Sequence, residues 1–242
     1  MIKIFSFLFF TLISITLYAQ NTLKIIYNFS DTFQSRVFNA QLYLIDNKNR
    51  SEFNVQQKTA LIKNDKVRTE ATNQRNNEGF FYDKISDKGY YFTTIFGKET
   101  FVEEDSLSKL IKWKIFDTVV KKLLNFNCKY ATCYHRGRIY TAYYTEELPF
   151  ITGPYKFTGL PGTILELSAA NKRFNYTAIN INTYSDTSLK INPYIPFFEK
   201  MISFNDYRIL FNKKMNEIIA NDRAKNIGTD YETDITDNSM EK

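Results

Sequence analysis

The sequence predicts a mainly β protein: one large curved antiparallel sheet, or a partial barrel, with a single C-terminal helix packed on it. Short segments in which apolar and polar residues alternate recur along most of the chain. Aromatic residues make up 17% of the 242 residues, with 22 Phe and 17 Tyr, and these types favour strands. Only the segment near the C-terminus has its apolar residues at helical spacing.

The alternating segments are the candidate strands. In the first of them Leu23, Ile25, Tyr27 and Phe29 occupy every second position, which is the period of a strand with one buried face. Further segments of this kind lie near residues 39–46, 58–63, 78–83, 88–96, 113–119, 136–144, 163–169 and 174–182. About ten short strands in succession predict an antiparallel meander rather than alternating β and α units.

The predicted helix covers residues 203–222. Ser203, with Asp206 three residues later, is typical of a helix N-cap. After this pair, apolar residues recur mostly at three- and four-residue steps: Phe204, Tyr207, Phe211, Met215, Ile218 and Ile219. We interpret this stripe as the face of the helix that covers the sheet.

Residues 1–20 predict a cleavable signal peptide. Lys3 is the only charged residue before position 24, and residues 4–17 are apolar or hydroxylic. A membrane anchor is the alternative, but a spanning helix needs about 20 apolar residues. This run is shorter and is interrupted by hydroxyl residues, so we expect cleavage after Gln20. The protein would then be periplasmic, outer-membrane-associated or secreted, and it would not span a membrane.

We expect residues 21–225 to form a single β-rich domain, because no linker-like stretch interrupts them. Residues 226–242 carry five acidic residues and one basic residue, which predicts a disordered acidic tail. The domain itself has 30 basic and 21 acidic residues, a net charge of +9. This charge suits an anionic glycan, a membrane surface or an acidic polypeptide, or it merely solubilises the protein. We expect no nucleic-acid partner.

Cys128 and Cys133 are the only cysteines. Export to an oxidising compartment allows a disulfide between them. On one straight strand, however, side chains five residues apart point to opposite faces, so the bond would need a bulge or turn at residues 130–132. With His135 as the only histidine, the set falls short of a zinc site. We predict no metal and no cofactor.

A loop rich in glycine and proline precedes the segment 163–169. Leu160, Pro161, Gly162 and Thr163 predict a type II turn in which Gly162 has positive φ. The loop is expected to be a rigid excursion between two strands, with Tyr155 pointing the same way as Phe157. Its structural residues are the following: Gly153, Pro154, Gly159, Leu160, Pro161 and Gly162.

The segment 136–144 places two arginines and two tyrosines on one strand face. Arginines beside aromatic rings bind anions or stack on sugars; alternatively, they donate to the carbonyl groups of the loop and pin it. Glu166 is expected to pair with Arg136 or Arg138. On these grounds the candidate binding residues are Arg136, Arg138, Tyr140, Tyr144, Tyr155 and Glu166.

The region from residue 113 to residue 167 resembles the GLPGLI family of exported Bacteroidota proteins. The matching residues are Trp113, Cys128, Lys129, Ala131, Arg136, Gly137, Arg138, Tyr140, Ala142, Tyr144, Pro149, Gly153, Pro154, Lys156, Phe157, Gly159, Leu160, Pro161, Gly162, Ile164, Leu165 and Glu166. Thr163 departs from the pattern, as do Tyr155, Cys133 and His135. The resemblance implies an exported β protein without an assigned activity. A similar domain precedes the catalytic part of some bacterial peptide N-glycosidases, which implies an accessory or binding role.

Three classes of function compete on the sequence alone. The first is a non-catalytic envelope module that binds a glycan, a lipid-like molecule or a peptide. The second is a hydrolase that uses Glu103, Glu104 or Glu166 as acid and base, or a Cys133–His135 dyad. The third is a structural partner in an envelope assembly. We favour the first and assign no catalytic residue, because no nucleophile–base motif is present in the sequence.

Overall fold

The structure is a computed structural model, and it describes residues 22–33, 36–63, 66–68, 79–95, 98–170, 174–184 and 201–225. The predicted signal peptide and the predicted acidic tail lie outside these ranges. Within them the chain forms thirteen strands and two helices.

The first seven strands come before the short helix α1. They are β1 (Thr22–Phe33), β2 (Arg36–Asp46), β3 (Arg50–Lys63), β4 (Lys66–Arg68), β5 (Phe80–Asp83), β6 (Lys88–Ile95) and β7 (Lys98–Asp105). After them come α1 (Leu107–Leu110), β8 (Lys114–Leu123), β9 (Phe126–His135), β10 (Arg138–Thr145), β11 (Thr163–Ala169), β12 (Phe174–Tyr184), β13 (Met201–Ser203) and α2 (Phe204–Lys225).

The described strands form one open sheet, in the order β13-β7-β6-β5-β3-β2-β1-β12-β11-β10-β9-β8, with β4 paired to β3 beside this path. Two antiparallel meanders, β1 to β7 and β8 to β12, are joined where β1 pairs with β12. The predicted mainly β sheet with a C-terminal helix is confirmed. The sheet is mixed rather than purely antiparallel, because β13 runs parallel to β7.

The sheet is strongly curved, as its connections require. In a flat sheet β7 and β8 would lie ten strand spacings apart, about 48 Å at about 4.8 Å per spacing. The chain connects them through residues 106–113, which even fully extended reach only about 32 Å. Side chains confirm the bend, because Glu104 on β7 pairs with Arg136, which lies between β9 and β10.

The predicted strands differ from the observed ones at their ends, and four observed strands were not predicted. The segment predicted at 136–144 begins two residues later, and the strand predicted at 58–63 begins at Arg50. The strands β4, β7, β9 and β13 were not predicted. In β7, charged residues on both faces hide the alternation. In β9 the buried residues Cys128 and Ala131 are three positions apart, so the strand lacks a simple alternation of buried and exposed residues.

In the second meander, the strands β9 to β12 each have a buried face and an open face, whereas β8 has no fully buried residue. On β10, Tyr140, Ala142 and Tyr144 are buried, whereas Ile139 and Thr141 point the other way. The buried face holds the main hydrophobic core, to which β1, β11 and β12 contribute as well. Residues that pair directly across neighbouring strands lie on the same face.

The helix α2 begins as predicted but covers less of the sheet than predicted. Ser203 Oγ accepts a hydrogen bond from the Asp206 amide at 3.1 Å, which confirms the N-cap. Tyr207 is buried and Phe211 is partly buried against the core, but Met215, Ile218 and Ile219 are not part of that packing. Among the described residues, neither helix has both the length and the apolar character needed to cross a bilayer.

Candidate functional site

The loop between β10 and β11, residues 146–162, lies against the buried face and carries the Gly-Leu-Pro-Gly motif. Phe157 is buried, with its ring centroid 4.6 Å from that of Tyr140. The indole Nε1 of Trp113 donates to the carbonyl oxygen of Thr158 at 2.8 Å. The hydroxyl of Thr163 donates to the carbonyl oxygen of Phe150 at 2.9 Å. The loop is therefore an integral part of the core.

The turn at the motif differs from the predicted type II turn. The amide of Gly162 donates to the carbonyl oxygen of Leu160 at 2.7 Å, which makes a three-residue γ-turn centred on Pro161. The φ angle of Gly162 is outside the left-handed region; Gly159, with φ 92°, occupies that region instead. Gly162 is needed for space, because a Cβ there would lie 2.1 Å from the carbonyl oxygen of Thr145.

The first part of the loop is also a turn rather than an extended segment. The amide of Phe157 donates to the carbonyl oxygen of Pro154 at 3.2 Å. Tyr155, inside this turn, has φ 55°, a conformation that is unfavourable for a bulky side chain. The expectation that Tyr155 and Phe157 share a direction in an extended segment is therefore wrong. The turn directs the next side chain, Lys156, into the core.

Three charged residues meet on the buried face, and we call them the charge cluster: Glu104, Arg136 and Lys156. Lys156 Nζ donates to Glu104 Oε2 at 2.7 Å, and the Arg136 guanidinium donates to Glu104 Oε1. Glu104 is 4% exposed and Lys156 is 2% exposed. The cluster joins β7, the turn after β9 and the motif loop, which are far apart in the sequence.

Aromatic rings surround the two cations of the charge cluster. Lys156 Nζ lies 4.6 Å from the ring centroid of Tyr91 and 5.0 Å from that of Tyr155. The Arg136 guanidinium carbon lies 3.7 Å from the ring centroid of Phe204, the first residue of α2. Cation–π contacts of this kind are strongest where water is excluded. They extend the cluster to a fourth element, the start of α2.

Arg136 reaches the cluster from a two-residue turn between β9 and β10. Arg136 has φ 46° and Gly137 has φ 75°, so both residues adopt the left-handed conformation that type I′ hairpins require. The prediction that Arg136 lies in a strand on one face with Arg138 is therefore wrong. The guanidinium carbon of Arg138 lies 5.5 Å from the ring centroid of Phe174.

The charge cluster has one carboxylate and two cations, and burial is the main cause of the pKa shifts of Lys156 and of the neighbouring His135. Burial lowers the pKa of Lys156 to about 7, against the opposing attraction of Glu104 and with help from the Arg136 charge. Burial also lowers the pKa of the neighbouring His135 to about 4, and the charges of Arg136 and Lys156 act in the same direction. Within the described residues, His135 Nε2 has no hydrogen-bond partner.

Glu166 lies apart from the charge cluster. It faces the open side of the sheet and accepts a hydrogen bond from Lys121 Nζ at 2.8 Å, so the expected pairing with Arg136 or Arg138 is wrong. Its cross-strand neighbour on β10 is Tyr143, an open-face residue. The six predicted binding residues therefore do not form one site.

Of the remaining predicted residues, Tyr140 and Tyr144 are buried in the core. Cys128 and Cys133 are both buried with free thiols. The strand between the cysteines pairs with β10 in continuous register, so it lacks the bulge or turn that a bond would need.

The open face of the second meander carries a row of uncharged hydrogen-bonding side chains, which we call the polar row. Neighbouring strands contribute one directly paired residue each: Thr132 on β9, Thr141 on β10, Ser168 on β11, Asn175 on β12 and Ser30 on β1. All five side chains are partly accessible. The pairing places these five uncharged hydrogen-bonding side chains in one line across five strands.

Aromatic and apolar side chains border the polar row. On one side Tyr134 and Ile139 pair across β9 and β10 and are 72% and 53% exposed. On the other side the rings of Phe116 and Tyr130 stack face to face at 4.3 Å, and that of Tyr143 follows at 6.4 Å. Lysine ammonium groups lie over two of these rings, Lys114 Nζ at 5.3 Å from the Phe116 centroid and Lys121 Nζ at 3.6 Å from the Tyr143 centroid, whereas the ring of Tyr134 is largely exposed.

Sequence reasoning missed the partnership between Glu104 and Lys156. Glu104 was considered only as an acid or base, and Lys156 only as a motif position. One signal for Glu104 was present: it shares a strand face with the buried Val102, so its carboxylate had to point inward. Nothing local in the sequence identifies Lys156 as its partner, because 52 residues separate them.

Comparisons with known proteins support the fold and leave the activity open. A family model described as "Protein of unknown function (Porph_ging)", a Bacteroidota-associated family, matches residues 134–166. No curated protein matches the chain. Two solved structures of PNGF-II, in space groups C2 and P21, are similar with TM-scores of 0.50 and 0.51 and identities of 14% and 15%. Each alignment covers 81% of this chain but only 33% and 34% of PNGF-II, so this chain spans about a third of that protein.

Proposed function

We propose that this protein is an exported, GLPGLI-type binding or accessory module that holds an uncharged glycan on its open face. The polar row is the observation that carries the proposal. Its five members lie on five adjacent strands, so the row spans about 19 Å, enough for an oligosaccharide laid across the strands. Hydroxyl and amide groups can both donate to and accept from sugar hydroxyls. The exposed ring of Tyr134 provides an apolar surface beside them.

The saturated charge cluster supports a scaffold role for the motif. Both oxygens of Glu104 accept hydrogen bonds from a cation, and the loop that supplies Lys156 fills the buried face. A motif used in this way shapes the sheet instead of presenting reactive groups. The open face is then the surface available to a ligand.

The alternative hydrolase function finds little support in the geometry. The three candidate carboxylates each have a basic partner: Lys88 for Glu103, the cluster cations for Glu104 and Lys121 for Glu166. Burial raises the pKa of Cys133 to about 12 and lowers that of His135 to about 4. A protonated thiol beside an imidazole that is a weak base is unsuited to nucleophilic attack.

An accessory role is supported by the occurrence of a similar fold as a third of a longer protein. The short family match and the apolar N-terminal stretch support assignment to an exported Bacteroidota family. The location, whether periplasmic, outer-membrane-associated or secreted, follows from the signal peptide that the sequence predicts.

Binding of a panel of neutral oligosaccharides, screened on an array and quantified by calorimetry, tests the proposal. The double variant Thr132→Val/Thr141→Val keeps side-chain shape but removes two hydroxyls from the polar row. Each lost hydrogen bond is worth about 0.5–1.5 kcal/mol, so the loss of two should weaken binding of the best ligand by a factor of about 5 to 150. Thr183→Val, an exposed threonine on β12 outside the row, is the matched control and should bind normally. A panel without a ligand, or equal affinity in the double variant, would refute the assignment.

A further inference from the structure

Two polar atoms beside the charge cluster are buried and have no hydrogen-bond partner among the residues that the structure describes: the hydroxyl oxygen of Tyr91 and Nε2 of His135. Tyr91 is 5% exposed and His135 is 6% exposed, so bulk solvent does not supply the missing partner. Buried polar groups in native proteins are almost always hydrogen-bonded to protein, to ordered water or to a bound ligand. These two atoms therefore indicate a bound group.

Both atoms lie close to the cations of the charge cluster. The ring centroid of Tyr91 is 4.6 Å from Lys156 Nζ. His135 directly precedes Arg136 in the chain, and after burial the charges of Arg136 and Lys156 are the main causes that lower the pKa of its imidazole. The two atoms and the two cations thus belong to one polar region on the buried face of the sheet.

The charge of this region favours an anion over a water molecule. The charge cluster has two cations and one carboxylate, and a charge withdrawn from water is costly unless an opposite charge accompanies it. A tyrosine hydroxyl donates a hydrogen bond, and a neutral imidazole does so when Nε2 carries its proton. An anion accepts from both groups and also offsets the second positive charge, whereas water does only the former.

Packed aromatic rings around this region limit the size of the anion. The ring centroids of Tyr155 and Tyr207 lie 6.4 Å and 6.3 Å from that of Tyr91. On the other side, the ring centroid of Phe157 lies 6.0 Å from that of His135. Interiors packed in this way have few voids larger than a water molecule, so the ligand has to be an ion of about that size.

We propose that the charge cluster binds a small inorganic anion of the size of chloride. The anion accepts hydrogen bonds from the Tyr91 hydroxyl and from His135 Nε2, and it offsets the excess positive charge of Arg136 and Lys156. It thereby joins β6, the turn after β9 and the motif loop. The site is independent of the proposed glycan binding, because the polar row lies on the open face of the sheet.

Denaturant unfolding of the full chain at pH 6, where Lys156 carries its proton, tests the site. Chloride replaces gluconate stepwise at constant ionic strength, so that general screening of charges stays the same. Because the anion binds the folded state, each tenfold rise in chloride above its dissociation constant should lower the unfolding constant about tenfold. The same unfolding constant in chloride and in gluconate would show that no such anion is bound.

Two matched tyrosine variants locate the chloride effect. Tyr91→Phe removes one donor to the anion, so the chloride concentration needed for stabilisation should rise at least tenfold. Tyr144→Phe is the control, because its hydroxyl is also buried and unpartnered among the described residues. The charges near Tyr144 are those of Glu146, Lys129 and Asp117, so this variant should respond to chloride as the parent does. Equal responses of the two variants would place the anion elsewhere.

Removal of the excess charge and direct detection complete the test. Lys156→Met leaves one cation for one carboxylate and should abolish the chloride dependence, and a dependence that survives in it would contradict the proposal. Crystals grown in bromide should show an anomalous peak within hydrogen-bond distance of Tyr91 and His135. Peaks confined to the protein surface would mean an adventitious ion only, and the assignment would then be wrong.

Discussion

Glu104 is the residue on which the interior electrostatics of the protein depend. It is the carboxylate that both cations of the charge cluster contact, and all three groups are almost fully withdrawn from water. Removing one member of a buried ion pair usually costs more than the pair contributes, because the remaining charge is left uncompensated. The three members of the cluster should therefore differ in their tolerance to substitution.

Replacing Glu104 by Gln should destabilise the protein far more than replacing Lys156 by Met. Glu104→Gln leaves the buried Arg136 guanidinium without a counter-charge and removes the attraction that helps Lys156 keep its proton, and it should lower the free energy of unfolding by about 3–5 kcal/mol. Lys156→Met keeps the Glu104–Arg136 pair and much of the packing volume, so its cost should be clearly smaller. Urea unfolding of both variants gives the comparison. Equal losses would mean that the lysine charge is as important as the carboxylate.

At this scale the sequence identified the residue types but not their partners. Arg136 was expected in a strand, and the structure places it in a turn because a two-residue hairpin needs two left-handed residues. Lys156 was seen only as a motif position. Lysine is rarely buried, so local reasoning assigns it to the surface unless its partner in another strand is known.

Among the elements, the motif loop was predicted from its proline and glycine residues, but the role predicted for Gly162 was wrong. The sequence predicted a rigid proline–glycine loop, and the loop is tightly packed. Gly162 was expected to provide positive φ, but Pro161 favours a γ-turn here and Gly162 instead avoids a clash with Thr145. Such a contact involves a residue before the loop, and no turn rule contains it.

Two glycine substitutions in the loop distinguish a steric requirement for glycine from a requirement for positive φ. Gly162→Ala places a methyl group against the Thr145 carbonyl, and shifting this backbone should cost about 2–3 kcal/mol. Gly159→Ala meets no atom closer than 3.7 Å and has only its positive φ to accommodate, at about 1–2 kcal/mol. Thermal unfolding of both variants should rank Gly162→Ala as the less stable. The opposite order would restore a conformational role for Gly162.

The strands were predicted where one face is uniformly apolar and missed where it is not. Residues 163–169 were placed correctly because a turn bounds them and apolar residues fill them. The strand β7 was not predicted because a charged residue, Glu104, occupies one of its buried positions, where the alternating pattern requires an apolar residue. The prediction that the whole apolar stripe of α2 packs on the sheet was wrong for a similar reason. Helical spacing shows which residues share a face of the helix, but not how far the sheet extends beneath that face.

At the scale of the whole molecule, two buried titratable groups change the free energy of unfolding in opposite directions as the pH falls. His135 has its pKa lowered to about 4, so the folded state resists the proton that the unfolded chain takes up below about 6.5. Its contribution to stability is therefore lost as the pH falls through this range. Asp46, buried beside Lys84, has its pKa raised to about 6, so its contribution is lost as the pH rises from about 4 to 6.

Replacing His135 by Leu should flatten the acid side of the stability profile. Between pH 7 and pH 5 the histidine should account for a loss of about 2 kcal/mol in the free energy of unfolding, and the variant should lack this loss. Denaturant unfolding at both pH values gives the difference. Asp46→Asn is the opposing control and should make the acid loss steeper. An unchanged profile in His135→Leu would mean that the imidazole is protonated in the fold.

The position of β1 in the middle of the sheet has a consequence for how the chain acquires its structure. The first strand must wait for β12 before both of its edges are satisfied, and Tyr27 bonds to Ile164, 137 residues away. During synthesis the first meander is therefore left with an open edge until the chain has emerged through Tyr184, the end of β12. Closing such distant contacts is slow, and the unfinished edge is the surface most prone to misassociation.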